Sequence, residues 1–149
     1  MGAKPRSKRM EPVKRLANEH ADRAAKQFSQ QRQQLDEQQQ RLAQLESFRQ
    51  EYRGRLQANA RGGIDPFRLQ DYNAFIARID AAVVQQKEAV VRSEYDVERS
   101  RSQWLEVLSR SRAIDKFVDR ARADEVKQVE QREQRRQDER PWRPRPLSD

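Results

Sequence analysis

From Phe67 to Arg140 the chain contains neither glycine nor proline. These are the two strongest punctuators of local structure, so a run of this length without either lets one helix continue throughout. Gln, Glu, Arg, Ala and Leu dominate the chain, and all are good helix formers. A helix of about 70 residues would extend about 105 Å at 1.5 Å per residue. Composition fits such an extended element better than a globule. Of 149 residues, 34% are hydrophobic and 38% charged, and the mean hydropathy is -1.26. A chain of this kind is either disordered or an elongated helical structure with a thin apolar seam. The abundance of helix formers selects the second for the middle of the chain and leaves disorder as the default at both ends.

The seam is visible as two seven-residue lattices. In the second half Ile76, Val83, Val90, Val97, Trp104 and Val118 lie on one, with Ser111 between the last two. Tyr72, Ile79, Val107, Ile114 and Ala121 lie on the other, interrupted by Gln86, Ser93 and Ser100. Two lattices offset by three or four residues make a coiled-coil seam. The first half carries a poorer version over about residues 13–60. Phe28, Leu35, Leu42 and Leu56 share one lattice, and Leu45 and Tyr52 the companion. Gln31, Gln38 and Arg49 occupy seam positions where apolar residues would stabilise better, and Ala17, His20, Ala21, Ala24 and Ala25 bury little area.

Between the halves stands a stop and a restart. Gly62 and Gly63 are adjacent, and Gly62 is placed to take the left-handed conformation that closes a helix C-terminus. Asp65 suits the N-cap and Pro66 the first helical position after it. Ile64 and Leu69 then form a hydrophobic staple. A connection this short returns the second helix antiparallel to the first. The fold expected is all-α, two long helices in an antiparallel coiled-coil hairpin spanning residues 11–140, with its turn at 61–66. Residues 1–10 are expected to be a basic disordered N-terminus and residues 141–149 a disordered Arg/Pro-rich tail. Pairing outward from the turn sets Tyr52 near Phe75, Leu45 near Val83, and Phe28 near Val97 or Trp104. The first arm then runs out near Phe117, so residues 118–140 are expected to project alone and to fray without a partner.

Catalysis finds little support. The chain has one histidine, His20, no cysteine, and no phosphate-binding glycine motif after Gly62-Gly63. His20 reads as a packed or half-exposed seam residue. Acidic residues fall on solvated faces beside Arg and Lys, and a two-helix hairpin offers no enclosed cavity for acid/base work. No cofactor, metal or small-molecule substrate is expected. No apolar run approaches a membrane span, and the basic N-terminus lacks the apolar segment of a secretory signal; a cytoplasmic protein is the simplest expectation.

The net charge of +8 and a pI near 10.3 predict attraction to acidic partners without choosing among nucleic acid, an anionic surface and an acidic protein. Lys4, Arg6, Lys8, Arg9, Lys14 and Arg15 cluster at one terminus. Arg132, Arg135, Arg136, Arg140, Arg143 and Arg145 cluster at the other, and a hairpin brings the two to one end. Only Trp142 interleaves with them, so base stacking on nucleic acid has little support. A second feature is an excess of apolar residues just past the break: Tyr72, Phe75, Ile76, Ile79, Ala82, Val83 and Val84. A two-helix seam needs about two residues in seven. Either Phe48, Tyr52 and Leu56 widen the core and cover the excess, or it is an exposed patch for another protein.

Tyr52, the Gly62-Gly63 break, the run Tyr72-Asn73-Ala74-Phe75-Ile76, Trp104 and the stretch "QRRQDER" ending at Arg140 together resemble the flagellar export protein FliJ family, over about residues 10–140. The resemblance implies a non-enzymatic component of the flagellar type III export apparatus. It implies a coiled-coil stalk in the centre of the hexameric export ATPase ring, contact with the export-gate membrane protein, and escort of export chaperones. It implies a cytoplasmic protein held peripherally at the inner membrane of the flagellar base, and monomeric when alone. The family's gate-binding surface, carried onto this sequence, falls on Phe75, Ile79, Ala82 and Gln86, the last standing where some relatives carry histidine. The paired termini would face the ATPase. The alternative from composition is a basic coiled-coil module that binds nucleic acid or another anionic surface; a third is a homodimeric scaffold.

Overall fold

The computed structural model describes residues 2–142. Two helices fill it: α1, Arg6–Arg61, and α2, Pro66–Asp138. They run antiparallel as a coiled-coil hairpin. Burial follows the two lattices of α2 closely: Ile79, Val83, Val90, Ser100, Ser111, Val118 and Ala121 are buried, and Tyr72, Ile76, Gln86, Ser93, Val97, Trp104, Val107 and Ile114 are half-buried. In α1 the half-buried positions include Phe28, Leu35, Leu42, Leu45, Tyr52 and Leu56, and also Gln31, Gln38 and Arg49. The seam is therefore set by heptad position, and its polar members are enclosed with the apolar ones.

The hairpin falls into two units, residues 22–106 and residues 1–21 with 107–149. The first contains the turn. Here α1 ends in two tightened bonds, Gly62 N–H to the Asn59 carbonyl and Gly63 N–H to that of Ala60, each 3.3 Å. The left-handed residue is Gly63, with φ of 82°, and not Gly62 as expected. The helix persists to Arg61, which moves the cap one residue on. Asp65 acts as the N-cap: its Oδ1 accepts from the Phe67 N–H at 3.2 Å, and its carbonyl accepts the first full helical bond, from Leu69, at 3.0 Å. Pro66 lacks an N–H at a place where none is needed. Past the turn, Tyr52 and Phe75 stack obliquely at 4.5 Å, and Phe28 stacks on Trp104 at 5.6 Å. Of the two partners anticipated for Phe28, the chain uses Trp104.

In the second unit α1 begins earlier than the sequence suggests. Residues 6–10 are helical, and the helix runs through Pro12. An interior proline deletes one backbone hydrogen bond and crowds the preceding turn, so contacts across the seam must outweigh it. Glu11 pairs with Arg122 at 3.2 Å, and the Arg6 guanidinium lies 6.0 Å from the Phe117 ring centre. Ser7, 5% exposed, gives both its N–H (3.0 Å) and its hydroxyl (2.6 Å) to the Glu125 carboxylate. These contacts overturn the expectation that α2 projects alone from Val118. Val118 is fully enclosed and Ala121 is 8% exposed. Beyond Glu125 every described residue is exposed, Val126 and Val129 included. After α2, Pro141 and Trp142 have no regular structure; the rest of the anticipated tail, with Arg143 and Arg145, lies outside the described residues.

Candidate docking groove near the turn

The four residues singled out past the turn have distinct surroundings. Ile79 is 6% exposed and belongs to the seam. Phe75 and Ala82 are half-buried. Phe75 sits in an aromatic group with Tyr52 at 4.5 Å and Phe48 at 6.2 Å; Tyr52 also meets Phe48 at 5.0 Å and Tyr72 at 6.5 Å. Each such pair contributes about 0.5–1.5 kcal/mol beyond its buried area. Gln86 donates its side-chain amide to the carbonyl oxygen of Gln38 at 2.9 Å and to Gln38 Oε1 at 2.7 Å. Much of the apolar excess is thus covered by the first arm. Phe48 itself stays 42% exposed, and Val84, on the outer side of α2, is 57% exposed.

The two flanks of the seam differ. Seven-residue spacing puts Arg41, Phe48 and Arg55 on one line of α1, and Arg68, Phe75, Ala82 and Ala89 on one line of α2. On the Arg41–Phe48 side lies an open groove of about 390 Å³, lined by Arg41, Gln44, Leu45, Phe48 and, from α2, Gln86. The other flank is laced by ion pairs. Asp80 receives Arg49 at 3.4 Å and Arg53 at 3.3 Å, and Lys87 reaches Glu46 at 4.0 Å. Of the four residues that the resemblance singles out, only Gln86 lines this groove; Arg41, Gln44 and Leu45 of α1 were not among them, and Phe48 was expected only as a cover. The signal was present, since Phe48 flanks the seam one heptad from Arg41 and from Arg55.

The unit with the termini has its own surface. An apolar groove of about 210 Å³ is lined by Val13, Leu16, Ala17, His20, Val107, Arg110 and Ile114. His20 is exposed at its edge and is not packed into the seam. Lys4, Arg6 and Arg9 of the first basic cluster and Arg132 of the second line one cleft, with Asp124 and Glu125. Glu125 titrates below the usual carboxylate range, because the Ser7 hydroxyl and N–H both bond its charged form, with Arg122 and Lys8 nearby. Residues 2–21 and 107–142 hold 16 Lys and Arg against 10 Asp and Glu, whereas residues 22–106 hold 14 against 13. The positive charge therefore sits with the termini. No group of metal-ligating side chains occurs among the described residues, and none of their helices is long and apolar enough to cross a membrane.

Comparison with known proteins agrees with this architecture. No curated protein matches the sequence. Among solved structures the chain is similar to one assigned as a YscO homolog, CT670, from Chlamydia trachomatis. The two share 19% identity, with a TM-score of 0.56, over 87% of this chain and 89% of that one. At that identity the likeness speaks for the fold. The model of the family described as "Flagellar FliJ protein" matches residues 6–143, which is nearly the whole sequence and includes the turn, the aromatic group and both arms. The chain belongs to the flagellar FliJ protein family.

Proposed function

We propose that this protein is a non-enzymatic stalk of the flagellar type III export apparatus, linking the export ATPase ring to the export gate and escorting export chaperones. Its membership of the FliJ family makes it an export-associated protein; the assignment of partners is the further step. The observation that carries it is the unequal pair of flanks near the turn. One is closed by Asp80, Arg49, Arg53, Lys87 and Glu46. The other leaves Phe48 and Gln86 lining an open groove, with Phe75 packed against Phe48. An apolar groove on a helical scaffold suits the gate, docked against Phe75, Ala82 and Gln86 with Phe48 beside them and the buried Ile79 backing them from the seam. The basic excess of the other unit suits the ATPase. No step of chemistry is assigned to the chain, and the protein acts by holding partners and transmitting their state, from a peripheral position at the inner membrane.

Substitution tests this. Ile79 is buried, so alanine there would lower hairpin stability along with any contact. Phe48→Ala and Ala82→Arg change the groove with less effect on the seam. The proposal expects both to reduce motility and export by tenfold or more while helicity by circular dichroism stays near wild type. Wild-type export from both variants would remove the groove from the gate contact. The composition-based alternative, a basic module for nucleic acid, expects instead tight DNA binding that weakens steeply with salt.

A further inference from the structure

We infer that the groove near the turn takes an acidic segment of its partner, anchored by an apolar side chain. The inference rests on the gate assignment only for the partner's identity, since the chemistry is read from the groove itself. Its floor is apolar, built from Leu45 and Phe48 with the Gln86 stem. The one charged residue lining it is Arg41. Arg41 pairs with no carboxylate among the described residues, although Glu37 stands one turn before it on α1. Arg78, within one turn of both Phe75 and Ala82 on α2, lies outside the groove lining and likewise has no carboxylate partner among the described residues.

The opposite flank is the internal control. There, at the same level of the hairpin, Arg49 and Arg53 share Asp80, and Lys87 has Glu46. The cations of the closed flank thus have carboxylates, and on the open flank Arg55 has Glu51, whereas Arg41, the one that lines the groove, has none among the described residues. The acids near the groove do not cancel it. Glu51 is held by Arg55 at 2.8 Å. Asp71 precedes Gln86 by 15 residues, roughly 22 Å along the helix. A guanidinium beside an apolar recess recognises a carboxylate next to a buried Leu or Phe, because the fork geometry of Arg matches a carboxylate and the apolar anchor supplies the area. A second copy of this chain is a poor occupant: it would present the same Arg41 and Arg78.

Fluorescence anisotropy tests this with a labelled Asp-Glu-Leu-Phe-Glu-Asp peptide and a Lys-Arg-Leu-Phe-Arg-Lys control, each titrated with the full-length protein. The acidic peptide should bind about tenfold tighter or more, as one charge-assisted contact provides. Arg41→Glu combined with Arg78→Glu should reverse that preference, and Phe48→Ala should weaken both peptides. Equal affinity for the two peptides, or no binding of the acidic one, overturns the inference. Capture of the export gate's cytoplasmic domain separates it from the gate assignment. If the acidic peptide binds and the gate domain does not, the gate assignment fails and the groove chemistry stands. If wild type and the double Arg variant capture the gate domain equally, the gate assignment stands and the acidic-segment inference falls.

Discussion

At the residue scale, the turn and the Ser7–Glu125 contact are the two most sharply specified sites. Gly63 has φ of 82°, a conformation that costs an L-residue roughly 1–2 kcal/mol. A Cβ at Gly62 would meet nothing nearer than the Asn59 carbonyl at 3.8 Å. Urea denaturation should therefore find Gly63→Ala destabilised by about 1 kcal/mol and Gly62→Ala near neutral. Reversal of that order would relocate the cap. Both glycines were legible in the sequence as the break; which one turns left-handed was not, because that depends on how far the last helical turn tightens. Glu125 supplies the second test. Its pKa is lowered in the folded chain, so its contribution is fully present above the ordinary carboxylate pKa. That contribution is lost as pH falls through the lowered folded value. Hydrogen exchange at the Ser7 amide should accelerate relative to a mid-helix amide as pH drops through that window, and Glu125→Ala should produce the same acceleration already at neutral pH. This contact was not legible in the sequence, because it joins residues 118 apart and needs α1 to start at Arg6.

At the scale of the element, the heptads decided burial better than local propensity decided helix ends. The lattices through Val83 and Ile79 were readable because period and apolarity coincide there. The start of α1 was not, because Pro12 argues locally for a break while Glu11–Arg122 and Ser7–Glu125 hold the helix from outside. Removing that conflict should help: Pro12→Ala is expected to raise stability by roughly 1–3 kcal/mol in a thermal melt, and a fall would mean that the proline serves the native turn. The polar seam gives a similar test. Ser93 is half-buried at a seam position, and Ser93→Val should stabilise the hairpin by about 1 kcal/mol. Beyond Glu125, α2 has no companion helix among the described residues, and isolated charged helix is marginal in water. Amides of residues 130–138 should exchange far faster than those around Val118.

At the scale of the whole molecule, the hairpin and its family were legible from the break and the spacing of aromatic residues around it. The site was legible only in part. The α2 residues stood out as an apolar excess, but a surface made by two antiparallel helices takes half its residues from the other arm, and single-sequence periodicity does not say which flank stays open. The ion pairs of Asp80 and Lys87 decide that, and they exist only once the register is fixed. The proposed function makes the two units separable by experiment: the groove near the turn for the gate, the basic unit with the termini for the ATPase. The most direct test is a paired binding measurement by isothermal titration, using the gate's cytoplasmic domain and the export ATPase against wild type and Phe48→Ala/Ala82→Arg. The account predicts at least a tenfold loss of gate affinity with ATPase affinity unchanged and the helical signal intact. Unchanged gate affinity, or equal loss toward both partners, would contradict it.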